Sequence, residues 1–410
     1  MALRIKNPFF LISLLGLFLV CGSTNAQTKG KPAVQYKNGI GITSPDSTFS
    51  INFRFRIQNR AGFTILKNDD DLRLTGTEFR TRRSRMRLEG FLLSQKLTYT
   101  LQLSFSRADQ DWDNAEVPNV LRDAMMFYSF NENFRIGFGQ GKLPGNRQRV
   151  ISSGEQQFVD RAITNATFNI DRDFGLQAYY HFKTGKIDYN LRGALSSGEG
   201  RNEGVSKSEV KANPGLCYTG RLEILPLGEF SDRSDYFEAD LAIEEKPKLS
   251  FAGGMSYNDN AVRTGGQLGK TLYAARDIRT YIFDALFKYK GLSVSGEFFI
   301  RNVADPSPVT ISEDGPKAYV YQGEGILGQI GKIFGNNYEV AARYAQVKPL
   351  GDIASTETMI RNYTLGLNKY FKKHRVKCQF DATYEQRFAE NIISPVNENF
   401  QLRLQVEMGI

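Results

Sequence analysis

The sequence predicts an all-β protein, a transmembrane antiparallel β-barrel of about sixteen strands with a long third loop folded into its lumen. Three observations carry that expectation: an export signal at the N-terminus, period-two alternation in segments of about ten residues, and connections that alternate between long and short.

Arg4 and Lys6 precede an apolar run from Pro8 to Val20, and Ser23-Thr24-Asn25-Ala26 follows as a small-residue cleavage site. Residues 1–26 therefore read as a signal peptide, with Gln27 the first mature residue. The run is too short to span a bilayer as a helix. Lipidation at Cys21 is the rival reading, and Val20 before it is a poor fit to the small residue such sites need. Once the signal is removed, Cys217 and Cys378 are the remaining cysteines, too few for a disulfide framework.

Mean hydropathy is −0.38, the value of a water-soluble chain. A membrane barrel hides in such an average, because only alternate residues need be apolar. The formal charge is +9, reduced by two when Arg4 and Lys6 leave with the signal. Nucleic acid is not a partner for an exported chain, so the excess points to small anions or anionic lipid head groups.

Residues 27–48 read as a short periplasmic N-terminal segment and 49–410 as the barrel. In the first strand Phe49, Ile51, Phe53, Phe55 and Ile57 alternate with Ser50, Asn52, Arg54, Arg56 and Gln58, one face for lipid and one for water. The pattern returns at Leu97 to Phe105, at Tyr281 to Tyr289, at Val376 to Tyr384 and at Phe400 to Ile410. Strands are expected near 49–58, 79–91, 96–106, 121–130, 133–141, 173–183, 185–195, 215–225, 247–258, 279–290, 291–301, 318–330, 336–347, 358–371, 374–387 and 399–410. A soluble sandwich also alternates, but its strands are typically about half as long as these. Phe127, Tyr128, Phe130 and the pair Tyr370-Phe371 stand near strand ends, as interfacial girdles require.

Brief turns such as Asn131-Glu132 and Lys372-Lys373 alternate with long loops, matching periplasmic turns and extracellular loops. Pro226 to Lys246 breaks the rule, and a further strand pair around Tyr236 to Ala242 there would make the count eighteen. The longest connection, Lys142 to Arg172, is charged, and folding it inward is the simplest way to narrow a water-filled lumen.

Strand phase then names the inward residues. Arg54 and Arg56 project from the first strand, Arg83, Arg85 and Arg87 from the second, and Arg135 from the fifth. The bland account is a water-facing wall braced by Arg–Glu pairs. The functional account is an anion path, because the first two strands crowd guanidinium groups together with few carboxylates nearby. The long loop adds Lys142, Arg147, Arg149, Arg161 and Arg172 as constriction candidates, with surface exposure as the alternative.

Enzyme readings find little support. His181 and His374 are the two histidines, and neither lies in a zinc-binding or hydrolase motif; there is no P-loop. No cofactor or metal is expected. Asn68-Asp69-Asp70-Asp71 and the run from Asp109 to Asp113 have loose calcium-ligand spacing but lack the glycine and terminal glutamate of an EF-hand, and read as solvated loop tips.

Several stretches resemble the phosphate-selective porin O and P family: Arg82 to Gly90, Gly139-Gln140-Gly141-Lys142-Leu143-Pro144, Asp171 to Gln177, Gly220-Arg221-Leu222 leading to Pro226-Leu227-Gly228, and later Glu339 to Tyr344 and Gly366-Leu367-Asn368. The resemblance implies an outer-membrane porin, commonly a homotrimer embedded in outer-membrane lipid. It further implies a water-filled channel for passive diffusion of small solutes, with anions such as phosphate preferred. It carries a pore-lining role to Arg83, Arg85 and Arg87. The chain departs from a common porin ending by closing on Ile410 where an aromatic residue often stands. The alternative class is a non-transport barrel with a surface-binding or structural role.

Overall fold

The computed structural model describes residues 32–410 apart from 37–38, 69–70, 110–119, 202–214 and 304–306. The expected signal peptide therefore lies outside the described residues.

Two short strands, β1 (Ala33–Gln35) and β2 (Ile40–Thr43), pair with each other, and β2 pairs with the start of β3. The long strands are β3 (Ser50–Asn68), β4 (Asp71–Leu92), β5 (Ser94–Ser104), β6 (Leu121–Ser129), β7 (Phe134–Lys142), β8 (Arg172–Thr184), β9 (Ile187–Ser196), β10 (Cys217–Leu225), β11 (Lys248–Arg263), β12 (Thr271–Tyr289) and β13 (Leu292–Val303). A small hairpin of β14 (Val309–Ile311) and β15 (Lys317–Tyr319) precedes β16 (Gly323–Phe334), β17 (Tyr338–Pro349), β18 (Met359–Lys372), β19 (Val376–Phe388) and β20 (Asn397–Gly409). Every long strand pairs antiparallel with its neighbours, and β20 closes on β3 from Glu398↔Lys67 to Gly409↔Arg56. The result is a closed sixteen-stranded barrel with no free edge between its walls.

Burial runs opposite to that of a soluble protein, because lipid is the outer solvent and the lumen the polar one. Phe251, Phe283, Val294, Leu365 and Leu404 stand exposed on the outside, while Arg221, Glu223, Asp284, Arg343 and Asp381 are buried within. Rings mark both ends of the barrel. Phe130, Phe134, Tyr180, Phe182 and Tyr189 form a chain at the turn end, and Tyr344, Tyr363, Tyr384 and Phe400 a ladder nearer the loop end.

Three expectations need correction. The stretch Pro226 to Lys246 adds no strand pair: it forms a 3-10 segment at Ser231–Tyr236 and turns, so the barrel count is sixteen and not eighteen. Its own polar groups explain this, since Ser231, Ser234 and the Asp240 carboxylate all engage Glu244 within the segment and leave no ladder to extend. The long loop expected between the first two strands is instead a hairpin, with β3 and β4 paired from Asn52↔Glu89 out to Asn68↔Asp71. Pairing continues past the membrane because each strand satisfies the other's backbone. The segment before Gly323 leaves the wall, and Lys317–Tyr319 pairs with Val309–Ile311 as a loop hairpin. Of the two acidic clusters, residues 69–70 and 110–113 lie outside the described residues.

Candidate functional site

Two segments enter the barrel from opposite ends and meet inside it. From the loop end comes the connection 143–171, with short helices at Arg147–Val150 and Ile163–Phe168. Its side chains are held by wall carboxylates that alternation turns inward. Asn146 Nδ2 and the Gln148 amide donate to Glu297 at 2.9 and 2.6 Å, the Val159 amide to Asp381 at 3.0 Å, and Gln157 Nε2 to Glu339 at 2.5 Å. Each gives an inward carboxylate a backbone or amide partner that water would otherwise supply. Phe158 and Phe168 are fully buried against the same wall. Wall glycines make room for them: a Cβ at Gly366 would lie 2.9 Å from the Phe158 ring, and one at Gly325 2.8 Å from the Phe168 ring.

From the turn end comes 226–247. Lys288 Nζ donates to the carbonyls of Ser234, Phe237 and Ala239 at 2.6, 2.9 and 2.8 Å and fixes its turn in the lumen. Glu238 joins the two segments: its amide donates to the Glu155 carbonyl at 3.0 Å, and its carboxylate accepts from the Gln157 amide at 2.8 Å. Both segments thereby pack against the inner face of the wall from β12 to β19.

The open half lies against β4–β9, where a cavity of about 430 Å³ remains. Arg85, Arg87, Arg122, Arg135, Lys142, Arg149, Arg161, Arg172, Arg192 and Arg233 line it, and among the described residues of the lining Asp123 supplies the one carboxylate. Towards the turn end it shares Arg135, Tyr179, Arg192, Arg233 and Tyr236 with a second cavity of about 340 Å³.

The predicted residues fall into groups. Arg54 and Arg87 share Glu89, at 3.1 and 2.7 Å, near the turn end. Arg56 donates to the hydroxyls of Ser152 and Ser153 at 3.2 and 2.9 Å, and its Nε lies 3.6 Å from Glu407. Arg83 meets Asp160 at 3.1 Å and Arg85 meets Asp109 at 2.6 Å. The expectation that this row lacks carboxylates is therefore corrected. Its partners Asp109 and Asp160 come from loops, which strand phase cannot place. Arg135 is different: its guanidinium lies 4.4 Å from the Tyr179 ring centroid and 5.0 Å from that of Phe127, with no ion pair among the described residues.

In the long loop Lys142, Arg149, Arg161 and Arg172 reach the cavity, while Arg147 turns to the wall and pairs with Asp284 at 2.6 Å. Lys142 Nζ donates to the carbonyls of Val150 and Ile151 at 3.2 Å each. Arg161 donates to those of Gln148 and Ile151 at 2.6 and 2.9 Å, and Arg172 to Asp123 at 2.7 Å. Arg149 pairs with Asp171. Burial lowers Arg161 to about 9, with Arg83 adding to the shift. Burial, then Arg161 and Arg172, push Arg149 well below its usual value. Both shifts express like charges crowded out of water, a cost that an entering anion relieves. Burial would raise Asp109 and Asp160, but neighbouring arginines overcome it and hold both well below the usual carboxylate range.

Period-two reasoning missed Arg82 and Arg122. Gln58↔Arg83 is followed by Asn59↔Thr81, and Gln102↔Asp123 by Leu103↔Leu121, so each arginine is the extra residue of a β-bulge. Arg82 Nε lies 3.6 Å from Asp160 and Arg122 Nη1 3.4 Å from Asp109, both within the barrel. Adjacent polar residues in an alternating strand, Arg82-Arg83 and Arg122-Asp123, were the available signal.

The family described as phosphate-selective porin O and P matches residues 52–305. A protein of Aquifex aeolicus described as uncharacterized is 24% identical over 371 residues, 82% of each chain. Among solved structures, an anion-selective porin from Comamonas acidovorans superposes with a TM-score of 0.54 at 13% identity, over 88% of this chain and 100% of its own. The outer-membrane channel DcaP of Acinetobacter baumannii gives 0.54 at 12% identity, over 90% and 99%. OmpF of Salmonella typhi gives 0.53 at 10% identity, over 89% and 99%.

Proposed function

Because the chain belongs to the phosphate-selective porin O and P family and folds as an outer-membrane channel, we propose that it passes small anions, phosphate or similar oxyanions, by passive diffusion. One observation carries the reading: among the described residues that line the open half of the lumen, ten are cationic and one is a carboxylate, and Arg135, Lys142, Arg161 and Arg233 make no ion pair among the described residues. Guanidinium groups offer forked hydrogen bonds to phosphate or carboxylate, and spacing them along a path gives many weak sites in place of one trap. Arg85, Arg87, Arg135, Lys142, Arg149, Arg161 and Arg172 are the pore-lining set, joined by Arg122, Arg192 and Arg233. Arg54 and Arg56 serve the turn-end mouth. Arg83 and Arg147 position the loop, through Asp160 and Asp284.

The same reading takes residues 1–26 as a cleaved signal, 27–48 as periplasmic, and the assembly as a homotrimer in outer-membrane lipid. Chemistry on the solute is not part of it. Single-channel recording in planar bilayers tests the proposal: chloride current should fall as millimolar phosphate is added, as expected when the slower anion occupies the same sites. Chloride current indifferent to phosphate would remove the oxyanion preference.

A second reading, a barrel with a binding or structural role, draws on the contact between the two inward segments through Glu238. Solute flux through liposomes carrying the folded protein separates the two, since only the channel reading predicts it.

A further inference from the structure

At the turn end, on the rim of the smaller cavity, the β8–β9 hairpin and the segment 226–247 bring together His181, Asp188 and Glu229. His181 Nε2 lies 3.4 Å from Asp188 Oδ1 and 3.6 Å from Glu229 Oε1, and the three ligand atoms all fall within 4.8 Å of one another. These separations are too long for good hydrogen bonds. The two made by His181 come close to the spacing of about 3.3–3.6 Å between ligands that share one tetrahedral ion at bond lengths near 2.0–2.2 Å.

The second observation is independent of that geometry. The Asp188 side chain is 1% exposed, and neither of its oxygens has a hydrogen-bond partner among the described residues. The His181 side chain is 35% exposed, but its Nε2 atom is itself out of solvent and has no hydrogen bond among the described residues. A buried carboxylate and imidazole nitrogen left in this state are costly, and an ion between them removes the cost. Lys183 Nζ stands 3.4 Å from Asp188 Oδ2 and supplies some attraction, but its side chain is 56% exposed and free to swing aside. Glu229, 67% exposed, sits on a turn and can close on an ion without moving a strand.

We propose that His181 Nε2, Asp188 and Glu229 bind one divalent ion of the zinc class. One imidazole and two carboxylates suit zinc and its first-row neighbours better than calcium or magnesium, which take six or more oxygens. Three protein ligands leave a further position for water or a small oxyanion, beside Arg135, Arg192 and Arg233. The bound ion adds two positive charges to the turn-end mouth and makes anion entry there responsive to metal.

Isothermal titration of zinc chloride into the folded, chelator-treated full chain tests this. The expected result is saturable uptake of one ion per chain, weakened at least about tenfold in Glu229→Gln and in His181→Ala. Glu229→Gln changes an exposed turn residue, so it keeps the test meaningful where His181→Ala disturbs the hairpin. In bilayers, zinc added at the turn end should alter conductance in the unmodified channel and not in either variant. Absence of saturable uptake by the folded channel, or equal affinity in Glu229→Gln, overturns the site.

Discussion

Replacing Arg135 by glutamine removes a lumen charge at the one predicted pore residue held by rings and not by a carboxylate. Phe127 and Tyr179 flank the guanidinium at 5.0 and 4.4 Å, so the shorter amide leaves no buried acid unpaired and the barrel should fold normally. The size of the effect follows from Coulomb's law: a unit charge about 4 Å from a permeating anion in water contributes about 1 kcal/mol, or roughly fivefold in occupancy. Because the same charge repels a cation by a similar amount, the anion-to-cation permeability ratio from reversal potentials in 0.1 M KCl should fall about 25-fold. At 1 M salt the Debye length shrinks from about 10 to about 3 Å, and the difference should drop to about two- to threefold. A variant that folds, conducts and keeps its reversal potential at 0.1 M would refute the electrostatic account of this lumen.

Other perturbations probe the loop and the plugging segment. Phe158→Ala empties the berth under Arg343, whose guanidinium lies 4.3 Å above the ring; the loss of about 3–5 kcal/mol should free the inward loop and give larger, noisier single-channel currents. Asp284→Ala strips Arg147 of its carboxylate and leaves Arg221 with Glu223 alone, both now paired with Asp284 at 2.6 Å, and should destabilise the barrel by about 3–5 kcal/mol, read as a lower unfolding midpoint in detergent. Burial, then Glu223, raises Asp235 to about 6. In an unfolded chain the same group binds its proton only near pH 3.9, so stability falls as pH rises between about 4 and 6. Protonation below 6 also strips a negative charge from the turn-end cavity, so anion selectivity should rise as pH falls through 6, and Asp235→Asn should flatten that dependence.

Strand phase was legible in the sequence because lipid tolerates no exception for long: Phe53 and Phe55 must face out, so Arg54 and Arg56 face in. The same logic placed Arg135 and Arg87 in the lumen. It failed where the backbone adds a residue. Arg82 and Arg122 sit in bulges whose register depends on the neighbouring strand, information that no single segment contains. It failed again for charge balance, because Asp109 and Asp160 reach Arg85 and Arg83 from loops distant in sequence. The inward course of the long loop was inferred from its length, but the split between Arg147 on the wall and Arg149 on the cavity was not. Consecutive odd positions in a helical turn face different ways, and only Asp284 fixes which one is taken up by the wall. The turn-end segment 226–247 was noticed as an exception in loop length, and its inward fold rests on the buried Lys288 that gathers three of its carbonyls.

An arginine-lined lumen that passes anions must show it in the unmodified channel. The reversal potential of the unmodified channel across a KCl gradient tests it most directly. The expected potential has the sign set by chloride permeation and grows as salt is diluted; a potential of the sign set by potassium would mean that the lumen does not favour anions.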